Sequence, residues 1–291
     1  MAPSSTPPRR AWVLRVALIL SLFGASCASG EPGSTSSGTT TVAAEAKSSD
    51  LLSLRFSGTT DAPLGYYEYL PPGYGDGEKR PLLIALHGLG ANGDGSEREL
   101  PKLVTAENGD NAGIVALIED DRWPLDRPFV VLAPQHDSPE DINMGPCDWE
   151  AEVQAFIEYA VANYDVDLER VYLTGLSCGA YGAWMYVAEH GNSQIAAMVP
   201  IAGDPYLAWA KAECDLGGVP IWAFHGDADE VVSIFYPRVV MKDLGACPSP
   251  PRHEATLTVY PGVDHNSWTS TYDLTAGHDI YAWMLNHQRG D

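Results

Sequence analysis

Val171-Tyr172-Leu173-Thr174-Gly175-Leu176-Ser177-Cys178-Gly179-Ala180 leads from a β-branched apolar run through a glycine-flanked serine into an apolar stretch that continues to Ala188. The pattern predicts a strand, a very tight turn and a helix. A Cβ at Gly175 or Gly179 would meet the neighbouring strand or helix, so glycine suits both positions, while the serine at the apex projects its Oγ outward. A serine presented in this way is suited to nucleophilic catalysis. Gly-x-Ser-x-Gly also occurs in plain strand-to-helix turns, so the reading depends on what accompanies it.

Upstream, Leu82-Leu83-Ile84-Ala85-Leu86-His87-Gly88-Leu89-Gly90 is a buried-strand pattern that ends in a glycine-rich loop. Such a loop can turn backbone N–H groups toward an oxygen that becomes negative during acyl transfer; the N–H groups of Leu89 and Cys178 are the candidates. Downstream, the apolar run 219–224 precedes His225-Gly226-Asp227-Ala228-Asp229-Glu230-Val231-Val232. The strand pattern 255–260 precedes Pro261-Gly262-Val263-Asp264-His265-Asn266-Ser267-Trp268, which puts His265 on a loop at a strand end as the candidate general base. Asp227, Asp229, Glu230 and Asp264 could each supply the carboxylate. Asp264 is poorly placed, because adjacent side chains on an extended loop point apart. Asp227 could instead bind loop backbone, a common fate of aspartate in turns.

These stretches resemble the α/β-hydrolase superfamily. More narrowly, they are similar to the secreted bacterial esterases, "predicted peptidases" and polyhydroxybutyrate-depolymerase-like proteins. The likeness is carried by Tyr69-Leu70-Pro71-Pro72-Gly73-Tyr74, His87-Gly88, Ala133-Pro134-Gln135 and the stretches 175–182, 222–232 and 260–268, spread over residues 51–288. Cys178-Gly179-Ala180 stands where Met-Gly-Gly is commoner. The resemblance implies a triad in the chain order Ser177, Asp229, His265, and the match to His-Gly-x-x-Asp-x-x-Val selects Asp229 over Asp227. It implies hydrolysis of carboxylic esters through an acyl-enzyme. A serine peptidase of the same fold is the nearest alternative, and a non-catalytic envelope binding lipoprotein the more distant one.

Other segments support an α/β class with a mostly parallel sheet between two helical layers. Phe129-Val130-Val131-Leu132-Ala133 reads as a strand cut by Pro134, 149–164 carries apolar residues at helical spacing, 196–201 is a further strand, and 279–287 a terminal helix.

Residues 1–27 read as an export signal: Arg9, Arg10 and Arg15 flank or interrupt the apolar run 11–23, which is short for a membrane span, and Gly24-Ala25-Ser26-Cys27 follows. That end resembles a bacterial lipobox with Gly24 where leucine is usual, implying a lipid on Cys27; an ordinary cleaved secretory signal is the alternative. Residues 28–49 are rich in Ser, Gly, Thr and Ala and read as a flexible linker. Residues 50–291 remain as one catalytic domain.

The formal net charge of −22 argues against nucleic acid as a partner. Cys147, Cys178, Cys214 and Cys247 allow two disulfides in an exported chain. Pairing Cys214 with Cys247 leaves Cys147 for Cys178, with a free Cys178 behind the turn as the alternative. No metal or cofactor signature stands out. Trp149 and Trp268 are candidate substrate contacts. The identity of the acyl and alcohol groups rests on the shapes of loops 89–127 and 134–148, since polyhydroxyalkanoate, acetylated xylan, feruloylated sugar and short-chain esters all suit one triad.

Overall fold

Eight strands form one sheet: β1 (Leu52–Arg55), β2 (Tyr66–Tyr69), β3 (Arg80–Leu86), β4 (Val130–Pro134), β5 (Val166–Leu176), β6 (Ala197–Ile201), β7 (Ile221–Gly226) and β8 (Ala255–Tyr260). Their order across the sheet is β1-β2-β4-β3-β5-β6-β7-β8. The first two strands pair antiparallel, β2 meets β4 antiparallel, and every other pair is parallel. The structure is a computed structural model that describes residues 46–105, 113–137, 147, 149–248 and 253–290. The export signal 1–27 with Cys27, and the linker as far as residue 45, lie outside the described residues.

Parallel strands buried on both faces are apolar along their length, which explains the uninterrupted runs in the sequence. Leu82 and Ile84 of β3 face the same side as Leu132 and Leu173, while Leu83 and Ala85 face the other side with Val131 and Tyr172. On the first side lie α3 (Glu150–Asn163), α4 (Cys178–His190) and α6 (Phe235–Ala246), contributing Phe156, Trp184 and Leu244. On the second lie α2 (Ile114–Glu119) and α8 (Ile280–Leu285), contributing Val115 and Met284. Each such side chain, fully buried, contributes ~1.5–3 kcal/mol.

The chain leaves β3 for β4 on one side and returns past β3 to β5 on the other, so a crevice opens at the carboxyl ends of β3 and β5, where the strand order reverses. Both glycine-bearing turns lie there. A Cβ on Gly175 would sit 2.3 Å from the Gly179 carbonyl oxygen, and one on Gly179 would sit 2.4 Å from that of Leu86. Only glycine lets α4 start this close to β5 and β3.

The folded unit starts earlier than composition suggested. Residues 47–49, assigned above to the linker, are tied to the end of α2: Ser48 is buried and its hydroxyl donates to Ile118 O at 2.7 Å, and Ser49 Oγ donates to Asp121 Oδ1 at 2.7 Å. Polar side chains anchored by hydrogen bonds leave no apolar signal in a sequence. Cys147 is bonded to Cys178 and Cys214 to Cys247, the pairing reached above by elimination. The free-Cys178 alternative is thereby corrected.

Candidate active site

Ser177 occupies the turn between β5 and α4 with φ 49° and ψ −116°, a left-handed backbone that a non-glycine residue adopts only under local constraint. The constraint is visible: its N–H donates to Ile201 O at 2.8 Å, and its carbonyl accepts from Ala180 N–H at 2.9 Å. The turn thus points Oγ into the crevice, where it lies 2.9 Å from His265 Nε2. His265 Nδ1 lies 2.7 Å from Asp229 Oδ2. A carboxylate only accepts, so Nδ1 carries the proton and Nε2 is left with its lone pair toward the serine hydroxyl.

Two loops must meet to build this contact. A Cβ on Gly226 would lie 2.2 Å from Val263 O, so the end of β7 and the loop after β8 touch backbone to backbone. Ala228 N–H donates to Val263 O at 3.0 Å and Asp227 N–H to Tyr260 O at 3.1 Å, locking the register.

The Asp229 carboxylate is completely buried. Its Oδ1 accepts from Val231 N–H at 2.9 Å and Val232 N–H at 2.8 Å. Burial by itself would raise its pKa, but hydrogen bonds from His265 and the Val232 N–H, with the charge on His265, outweigh that and hold it below the usual carboxylate value. The other carboxylates go elsewhere. Asp227 Oδ1 accepts from Gly262 N–H at 2.6 Å, and Asp264 Oδ1 from Asn266 N–H at 3.3 Å.

Gly88 and Leu89 follow β3 and pass beside the serine; a Cβ on Gly88 would lie 3.7 Å from Ser177 Cβ. Leu89 opens a short 3₁₀ turn to Ala91, and Cys178 opens α4. First-turn N–H groups point out along a helix axis, the direction an oxyanion donor needs. His87 braces this loop. Its Nε2 accepts from His136 N–H at 2.9 Å, so Nδ1 carries the proton and donates to Gly88 O at 2.7 Å. Burial pushes the His87 imidazole down to about 4, so it stays neutral in that role at neutral pH.

A cavity of roughly 440 Å³ opens beside Ser177 and His265, walled by Leu103, Ile114, Val115, Leu176, Trp268 and Tyr272. No Asp, Glu, Lys or Arg lines it among the described residues. Trp268 stands edge-on to His265 at 5.1 Å. Trp149, the other tryptophan expected to touch substrate, does not line the cavity. It is buried behind the oxyanion side, stacked on His136 at 4.9 Å, with its Nε1–H toward Cys178 O at 3.4 Å. Gly182 explains this seat, since a Cβ there would lie 2.4 Å from the indole nitrogen. Leu103, Ile114 and Val115 fall within the stretch 89–127 to which the sequence assigns substrate choice, although no local pattern marks them individually; residues 106–112 and 138–146 of the two stretches lie outside the described residues.

No protein-family profile matches the chain. Among solved structures, a thermostable esterase matches 82% of this chain with 28% sequence identity and a TM-score of 0.62, over 63% of its own length. The chain belongs to the α/β-hydrolase superfamily. This α/β-hydrolase is also 28% identical over 161 residues to poly(3-hydroxyalkanoate) depolymerase C of Paucimonas lemoignei, covering 51% of the chain. It is 30% identical over 120 residues to a bifunctional acetylxylan esterase/xylanase of Neocallimastix patriciarum, covering 40% of the chain. The aligned stretches span 33% and 17% of those two curated proteins.

Proposed function

We propose that this α/β-hydrolase is an exported serine esterase that cleaves carboxylic esters through an acyl-enzyme. The observation that supports it most is the run of contacts from Ser177 Oγ through His265 to the buried Asp229, opening into an uncharged, apolar cavity. In this reading Ser177 Oγ attacks the ester carbonyl carbon as His265 Nε2 takes the hydroxyl proton. The carbonyl oxygen becomes negative and is held by the Leu89 and Cys178 N–H groups. Collapse expels the alcohol, which leaves with the proton from His265. Water then attacks the acyl-enzyme by the same route and releases the acid. Asp229 keeps the imidazole in the Nδ1–H tautomer and stabilises the imidazolium without taking its proton.

The apolar wall supports an uncharged acyl group in the cavity, because an ionised one would lose its hydration there without a partner. On a panel of chromogenic substrates, neutral short-chain esters should turn over at least ~100-fold faster, as kcat/KM, than succinate-type monoesters with a free acyl carboxylate or the matching anilides. Preference for the anilides would replace the esterase reading by the peptidase one. Preference for the charged esters would reject the cavity assignment.

Export is supported by the two disulfides, which persist in oxidising compartments. No helix among the described residues is long and apolar enough to cross a membrane. We assign residues 1–27 to an export signal that ends in a lipid-bearing Cys27, residues 28–46 to a tether, and the rest to the hydrolase domain. The full-length chain should then partition into detergent, and Cys27→Ala should leave it unprocessed or in the aqueous phase. Wild-type protein found wholly in the aqueous phase would reject the anchor.

A further inference from the structure

His225 is the last residue but one of β7 and is buried, yet it takes no direct part in the chemistry proposed above. Its Nε2 lies 2.8 Å from Val232 O and 3.2 Å from Asp229 Oδ2, the same oxygen that meets His265. Both neighbours can only accept, so Nε2 carries the proton and sits between them. The contacts close a ring. Val232 gives its main-chain N–H to Asp229 Oδ1 and, from the next peptide unit, its carbonyl to His225, while Asp229 turns its other oxygen toward both imidazoles.

From this geometry we infer that His225 is a positioning residue for Asp229: its Nε2–H fixes the Val232 carbonyl and the carboxylate plane, so that Oδ2 stays in line with His265 Nδ1. The inference rests on the reading of Ser177, His265 and Asp229 as a catalytic triad. A carboxylate buried without water offers several lone-pair directions, and each needs a donor. Oδ1 has two backbone N–H groups; Oδ2 has His265 and, off-line, His225. Without His225 the carboxylate can turn about its Cβ–Cγ bond, and the Val232 carbonyl is left buried without its imidazole partner. Burial lowers the His225 pKa, which keeps it a neutral donor beside the carboxylate rather than a competing cation. The titratable groups around the pair are Asp204 and His265 near His225, and Tyr181 near Asp229.

The test uses His225→Leu, which removes the donor, and His225→Gln, whose amide nitrogen can reach the Nε2 position. With a neutral short-chain chromogenic ester, His225→Leu should lower kcat ~10- to 100-fold with KM within about twofold, and should move the acid limb of kcat/KM to lower pH as the imidazole loses its aligned carboxylate. His225→Gln should stay within about threefold of wild type. Introduced into Asp229→Asn, His225→Leu should cost nothing further, because the histidine acts through that carboxylate. His225→Asn, too short to reach, repeats the experiment should leucine prevent folding. A folded donor-less variant with wild-type kcat and acid limb, or an equal loss in the Asp229→Asn background, would overturn the inference. If Asp229→Asn itself leaves kcat unchanged, the triad reading has failed instead.

Discussion

Ser177→Ala should lower ester turnover by ~10⁵-fold while leaving the thermal midpoint within a few degrees of wild type. The chemical step loses its nucleophile, so activity drops to whatever the oxyanion donors and the cavity can lend to direct attack by water. The fold loses little, because the turn is held by the Ser177 backbone, through Ile201 and Ala180, and not by the hydroxyl. A fluorophosphonate should add to the wild-type chain once, with loss of fluoride and a bond from Ser177 Oγ to phosphorus, and not to the alanine variant. A labelled Ser177→Ala chain, or one with near-wild-type turnover, would place the nucleophile elsewhere.

Asp229→Asn carries the second large effect, a loss in kcat of ~10³- to 10⁴-fold, the size expected when an amide replaces the carboxylate behind the histidine. Asparagine can offer an N–H to His265 Nδ1, which favours the tautomer with its proton on Nε2, facing the serine. That tautomer cannot accept the Ser177 proton. The imidazolium also loses its stabilising charge, so the acid limb of the residual activity should move to lower pH. Asp229 itself does not set that limb. Its folded pKa is depressed, so its stabilising contacts are complete above the unfolded carboxylate value of 3.8 and are lost only as pH falls through the lower folded value. Asp227→Asn should stay within about threefold of wild type, since an amide oxygen can still accept from Gly262 N–H. A crippled Asp227 variant beside a normal Asp229 variant would transfer the role of acid.

Strand by strand, legibility followed burial. The parallel strands at 82–86, 130–133, 171–175 and 197–201 stand out because helices cover both their faces. The antiparallel pair β1 and β2 does not. β1 is short and half exposed, and β2 reads Tyr-Tyr-Glu-Tyr, whose Glu68 is buried against Arg55 at 2.6 Å and the Tyr164 hydroxyl. A paired buried carboxylate looks like surface in a sequence. Trp149 differs in the opposite way: it was a candidate substrate contact, yet its ring fills the gap that Gly182 leaves behind Cys178.

By itself the sequence determined the class of fold and singled out the serine at the elbow and the histidine downstream, since each rests on local pattern: apolar runs, strand ends and glycines at tight turns; four cysteines allowed two disulfides but left a free Cys178 open until the folded chain joined it to Cys147. Distant parts of the chain had to be brought together for the rest. The resemblance had already selected Asp229 among four carboxylates, but its contact with His265 exists only because Gly226 touches Val263 and brings the two loops together. The cavity wall joins Leu103 and Ile114 to Trp268 and Tyr272, and His225 meets Asp229 only because the loop between them folds back. Hydrogen bonds and cavity walls depend on distance between side chains, and no local periodicity encodes which loops a sheet will set side by side.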